Sequence, residues 1–153
     1  MRTARLAAIA GVGISMAVAL ESQAGRELVK FPDDYAQGIH YATVTRGNIR
    51  EELFASRAAV EAARKGEPLP SGTVITMEDY RSGKLYRYIV MEKRTGWGAD
   101  YRSDKRNGEW EFQAFNADKS VNGAENVDRC FGCHKGQAQT DFVFTRDRMS
   151  TAR

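Results

Sequence analysis

The chain has 153 residues but only two cysteines, two histidines and three prolines, and these shortages narrow what it can be. Two cysteines cannot build a disulfide framework. A structural zinc site asks for four ligands, and Cys130, Cys133 and His134 supply three, with only His40 left to complete the set. No apolar run reaches the ~20 residues that span a bilayer; the longest uncharged, mostly apolar stretch is residues 6–20. Lysine and arginine (23) nearly balance aspartate and glutamate (20). With no basic run or recognition motif, nucleic acid is not an expected partner. Internal repeats and low-complexity tracts are absent as well.

The N-terminus carries an export pattern. Arg2 and Arg5 precede the apolar stretch, and small residues at Ala17 and Ala19, or Ser22 and Ala24, offer two cleavage sites before polar sequence resumes. The reading is a signal peptide over residues 1–24 and one domain over residues 25–153, with a periplasmic destination; a retained N-terminal anchor is the alternative. Removal of residues 1–24 leaves 21 basic against 19 acidic side chains, a near-neutral protein.

Both cysteines fall inside Cys130-Phe131-Gly132-Cys133-His134. C-x-x-C-H is the attachment pattern of c-type haem: two thiols spaced to add to two vinyl groups, and an adjacent imidazole to ligate iron. Covalent attachment of this kind follows export, so motif and signal support each other. A redox-active disulfide is the remaining alternative, although a thioredoxin-like pair would sit early in a βαβ unit and not near the C-terminus.

Between these ends the pattern alternates more than it turns. Phe31-Pro32-Asp33-Asp34-Tyr35 reads as a turn, residues 39–44 as a strand, and residues 48–65 as an Ala-rich helix capped by Asn48 and stopped by Gly66. Residues 73–80 and 85–93 read as strands about an Arg81-Ser82-Gly83-Lys84 hairpin turn, and residues 109–115 as a third strand with Trp110, Phe112 and Ala114 on one face. The cysteine segment, residues 124–137, is expected to be a short helix, and residues 142–144 a last strand. The expected class is α+β, a predominantly antiparallel β-sheet with a few helices and the haem on a C-terminal C-x-x-C-H helix.

The tail Cys130-Phe131-Gly132-Cys133-His134-Lys135, continuing through Ala138, Thr140-Asp141 and Val143-Phe144-Thr145-Arg146, resembles the C-terminal signature of the cytochrome P460 family, which includes the cytochromes c′-beta. Gly72-Thr73-Val74 and Pro32-x-x-Tyr35 are similar to that family too, and the resemblance spans residues 31–147. It implies a mostly β homodimer carrying one covalent haem c per chain, with His134 as proximal iron ligand and the other side of the haem open. Members that oxidise hydroxylamine cross-link the haem to a lysine; the c′-beta members lack the link and bind gases such as nitric oxide. The position matching that lysine is Met77.

A thioether there is read as a soft apolar wall against the porphyrin, with iron ligation as the sharper alternative. Glu125, by position, is the candidate distal base. Arg46 is a candidate to hold a haem propionate or orient a distal ligand. His40 is read as a hydrogen-bonded or surface histidine in preference to a sixth ligand. Lys84 and Lys93 do not occupy the cross-link position. Of Phe54, Tyr86, Tyr88, Trp97, Tyr101, Trp110, Phe112 and Phe115, one or two are expected over the haem and the rest in the core. The first functional expectation is an open-site cytochrome that binds a small gaseous or nitrogen-oxide ligand, with a redox partner protein. A haem oxidoreductase acting on hydroxylamine or nitric oxide, and an electron-transfer cytochrome, are the alternatives.

Overall fold

Two tight turns set the architecture of residues 29–153, the part of the chain that the computed structural model describes. The export segment, residues 1–24, lies outside the described residues. Strands β1 (Ile39–Arg46) and β2 (Ile49–Ala55) are joined by Gly47-Asn48, with Gly47 at φ 58°. Strands β3 (Val74–Arg81) and β4 (Lys84–Lys93) are joined by Ser82 (φ 48°) and Gly83 (φ 79°). Positive φ at both central residues, as at Ser82-Gly83, or at the first alone, as at Gly47, is what lets a two-residue loop match the twist of its flanking strands. With β5 (Trp110–Asn116) the sheet runs β1-β2-β3-β4-β5, every neighbour antiparallel. The expected α+β class is what is found.

The second expected element is different. Residues 48–65 are not one helix: Ile49–Ala55 is β2, and only Arg57–Arg64 forms α1. Glu, Leu and Ala favour a helix, but β2 pairs on both edges, with β1 and with β3, and tertiary pairing overrides that weak propensity. The cap is Ser56, whose hydroxyl accepts the Ala59 N–H at 3.3 Å. The predicted strand at residues 142–144 is a turn, since Asp141 (φ 54°) and Phe142 (φ 62°) are both left-handed. It leads into a helix that the sequence did not suggest, α3 (Arg146–Thr151), which packs on α1 through buried Met149. The haem-motif helix, α2, is Asp128–His134 and continues as a 3-10 turn over Lys135–Thr140.

Strand alternation divides the side chains into two faces. On one face Leu53, Met77, Ile89 and Ala114 stand side by side across β2 to β5, flanked by the row Ala55, Ile75, Met91 and Phe112. This face, with α1, α2 and α3, makes the main core. The opposite face buries Tyr88, Val90 and Phe115 beneath the N-terminal segment, where Phe31 meets Tyr35, Tyr88 and Phe115 edge-on at 5.0–5.8 Å.

Candidate functional site

The main-core face does not close completely. A cavity of about 580 Å³ lies between it and the C-terminal segments. Its sheet wall is Leu53, Ile75, Met77, Ile89, Met91 and Phe112, the inward residues of β2 to β5. Its other wall is Cys130, Cys133 and His134 from α2 with Val143, Phe144 and Thr145. Residues at i, i+3 and i+4 share one side of a helix, which is how the motif spacing sets both thiols and the imidazole on one wall.

His134 is held in one orientation. Its Nδ1–H donates to the Phe142 carbonyl at 2.7 Å, and its ring packs against Phe112 and Phe144 with centroids 4.9 Å away in each case. A carbonyl only accepts, so Nε2 is the free lone pair of the neutral ring. Burial holds the imidazole below the ordinary histidine pKa, against the opposing pull of the carbonyl. That is the form in which histidine ligates a metal, with the second-sphere acceptor metal-bound histidines normally have. Both cysteines are free thiols. Burial, reinforced by Glu125, pushes Cys130 up to about 11. A redox dithiol needs the opposite shift, so the disulfide reading loses ground.

The far end of the cavity is polar. Arg87 donates from Nε to Asp79 at 2.9 Å and from Nη1 to Glu125, and Arg81 donates to Asp79 at 3.1 and 3.3 Å. Asp79 is buried, its side chain 2% exposed. Arg46 pairs with Glu51, and Arg148 donates to the Thr43 carbonyl at 2.7 Å. Arg46, Arg87, Arg129 and Arg148 line the cavity against Glu51 and Glu125 only, a surplus of two positive charges. Adding Asp79 and its second partner Arg81 leaves the surplus at two.

All six residues singled out in the sequence, Arg46, Met77, Glu125, Cys130, Cys133 and His134, line this one cavity. His40 does not; its Nε2 lies 2.7 Å from Glu52, as a hydrogen-bonded histidine on the other side of the sheet. Lys84 and Lys93 stay outside too, and no lysine lines the cavity among the described residues. Of the eight aromatics considered, only Phe112 reaches the wall, whereas Tyr41 and Phe144 do so without having been expected. Tyr41 bonds Thr145 at 2.9 Å, and burial raises its phenol well above the ordinary value. Arg87, the hub of the polar end, was also missed, although its parity with Ile89 and Met91 on β4 marks it as inward.

A chamber this size lies in the range of small-molecule and cofactor sites. An apolar wall, two free thiols, a neutral imidazole with Nε2 to give, and an arginine surplus matching two propionates fit a haem of c type. No cluster of three or more His, Cys, Asp or Glu is placed to hold a bare metal ion among the described residues. The fold and the site together fit a haem c protein, a cytochrome on a sheet scaffold. The chain belongs to the cytochrome P460 family, whose model matches residues 32–145. No curated protein gives a significant match.

Proposed function

We propose that the chain is an exported mono-haem cytochrome that attaches its haem through Cys130 and Cys133 and ligates iron through His134. The other side of the haem is left for a small gaseous or nitrogen-oxide ligand such as nitric oxide. The observation that carries this reading is the cavity lining: Leu53, Met77 and Ile89 face the wall of Cys130, Cys133 and His134, and among the described residues the lining offers no second histidine and no lysine, leaving a methionine thioether as the alternative sixth ligand. When bound, the haem supplies the iron position that takes the ligand. The chain's own residues orient the imidazole, exclude water with an apolar face and hold carboxylates at the arginine end. The N-terminal pattern adds a periplasmic location, the family likeness adds a homodimer, and a redox partner protein completes the reading.

Hydroxylamine or nitric oxide turnover is the second reading, favoured by Glu125 in the cavity wall. It ranks lower because Met77 replaces the cross-linking lysine and because Arg87 occupies the Glu125 carboxylate. Spectra of the exported protein test the proposal. A high-spin ferrous haem that takes up carbon monoxide and nitric oxide, without hydroxylamine turnover, is expected. A low-spin ferrous spectrum unchanged by carbon monoxide overturns it in favour of electron transfer, and turnover overturns it in favour of the enzyme.

A further inference from the structure

Thr140-Asp141 is part of the family-like tail, yet Asp141 does not line the cavity. It lies instead at the centre of a clamp. Lys93 Nζ donates to both Asp141 carboxylate oxygens, at 2.7 and 3.0 Å, and to the Leu69 carbonyl at 2.8 Å. The Leu69 N–H donates to the same carboxylate at 2.9 Å. The indole N–H of buried Trp110 donates to the Asp141 carbonyl, also at 2.9 Å. The Arg146 guanidinium stands 3.9 Å away.

Asp141 and Phe142 stand in successive left-handed conformations that close the 3-10 turn, with the Phe142 N–H donating to the Gln137 carbonyl at 2.7 Å, and the clamp contacts hold the Asp141 end of this pair in place. The next link is the Phe142 ring, which crosses Gly108 so closely that a Cβ there would meet it at 2.9 Å. The outcome is the direction of one carbonyl: that of Phe142, on His134 Nδ1.

We infer that Asp141 is a positioning residue for His134, acting with Lys93 and Trp110 through the Phe142 carbonyl to set how strongly the imidazole donates to iron. The inference rests on His134 being the iron ligand of the proposed cytochrome. An acceptor on Nδ1–H makes the imidazole a stronger donor and favours ferric iron. Loosening the clamp therefore weakens the iron–histidine bond and moves the reduction potential upward. Lys93 and Trp110 lie outside the cavity, so their substitution alters no wall that a ligand touches.

The test uses the haem-loaded protein. Asp141→Ala and Lys93→Met are expected to lower the iron–histidine stretching frequency of the ferrous protein in resonance Raman spectra and to raise its midpoint potential. Asp141→Asn, which tolerates the left-handed conformation and keeps an acceptor for Leu69 and Lys93, should stay close to the parent. Should Asp141→Ala yield no haem protein, Lys93→Met and Trp110→Phe carry the comparison. A purely structural role would lower the melting temperature of these variants and leave frequency and potential at the parent values, and that result overturns the inference. Failure of the underlying reading shows separately, as a parent protein with no covalent haem or with an iron–histidine signal that survives removal of His134.

Discussion

Replacing Arg87 by Met removes the guanidinium that touches both Asp79 and Glu125 while keeping much of the aliphatic stem. The Asp79 side chain is 2% exposed, so losing a partner leaves a buried carboxylate short of compensation. Breaking a buried pair from one side costs about 3–5 kcal/mol. Two features reduce that here: Asp79 keeps Arg81 at 3.1 and 3.3 Å, and Glu125, with its side chain 20% exposed, regains water. Halving the buried-pair figure gives about 2 kcal/mol. For a domain of this size that is a fall of roughly 8 °C in melting temperature. Because bound cofactor adds to apparent stability, the comparison belongs to samples matched for haem loading. A double-mutant cycle with Asp79→Asn isolates the pair and should give a coupling of about 1–2 kcal/mol. A loss below ~0.5 kcal/mol for Arg87→Met, or additivity of the two substitutions, would refute the view of Arg87 as the hub of the polar end.

Met77→Leu, a near-isosteric swap costing under about 1.5 kcal/mol, should leave the ferrous spectrum and carbon monoxide uptake as they are; conversion from low to high spin would instead identify the thioether as an iron ligand. Gly98→Ala drives a Cβ into the Gly108 carbonyl oxygen and should cost on the order of 3 kcal/mol or abolish folding, whereas an unchanged melting temperature contradicts that packing. The Gly98 N–H, with the Arg106 guanidinium behind it, holds Glu109 below its ordinary 4.5 against a smaller opposing effect of burial. A carboxyl depressed in the folded state stabilises above its unfolded value and ceases to do so as pH falls through the folded one. The parent should therefore exceed Glu109→Gln by about 1 kcal/mol at neutral pH, with the gap closing in thermal melts below pH 4.5; a gap that persists in acid assigns the difference to packing.

Much of the sheet is legible because its signals are local. Ser82-Gly83 admits a two-residue turn, and the alternation on either side fixes which residues share a face, so the strand parity of Ile75, Met77 and Asp79 carries directly into the structure. Residues 49–55 defeat the same reasoning. Ile49-Arg50-Glu51-Glu52-Leu53-Phe54-Ala55 is locally good helix, and only its two strand partners, β1 and β3, make it β2. Residues 142–144 fail for the opposite reason. Phe and Val favour strands, but among the described residues no strand pairs with them, and the Phe142 carbonyl is taken by an imidazole eight positions earlier.

The site shows where the limit lies. A covalent attachment motif must present two thiols and an imidazole on one helix turn, so its chemistry is compressed into five residues and survives as a readable string. The wall opposite is assembled from one inward residue at a time on separate strands, and the sequence betrays it only through parity. Met77 was found through the family's lysine position and parity agrees with it, whereas Arg87, two positions before Ile89 on a strand also read as such, was available by parity alone and unclaimed. Arg87 needs Asp79 and Glu125 to become meaningful, and those lie 8 and 38 positions away. The clamp on His134 is longer in range still, since Lys93 reaches Asp141 across 48 positions and Leu69 reaches it across 72. Interactions that close such long loops leave no periodic trace, so the C-x-x-C-H string is read from sequence and the contacts that hold His134 from structure.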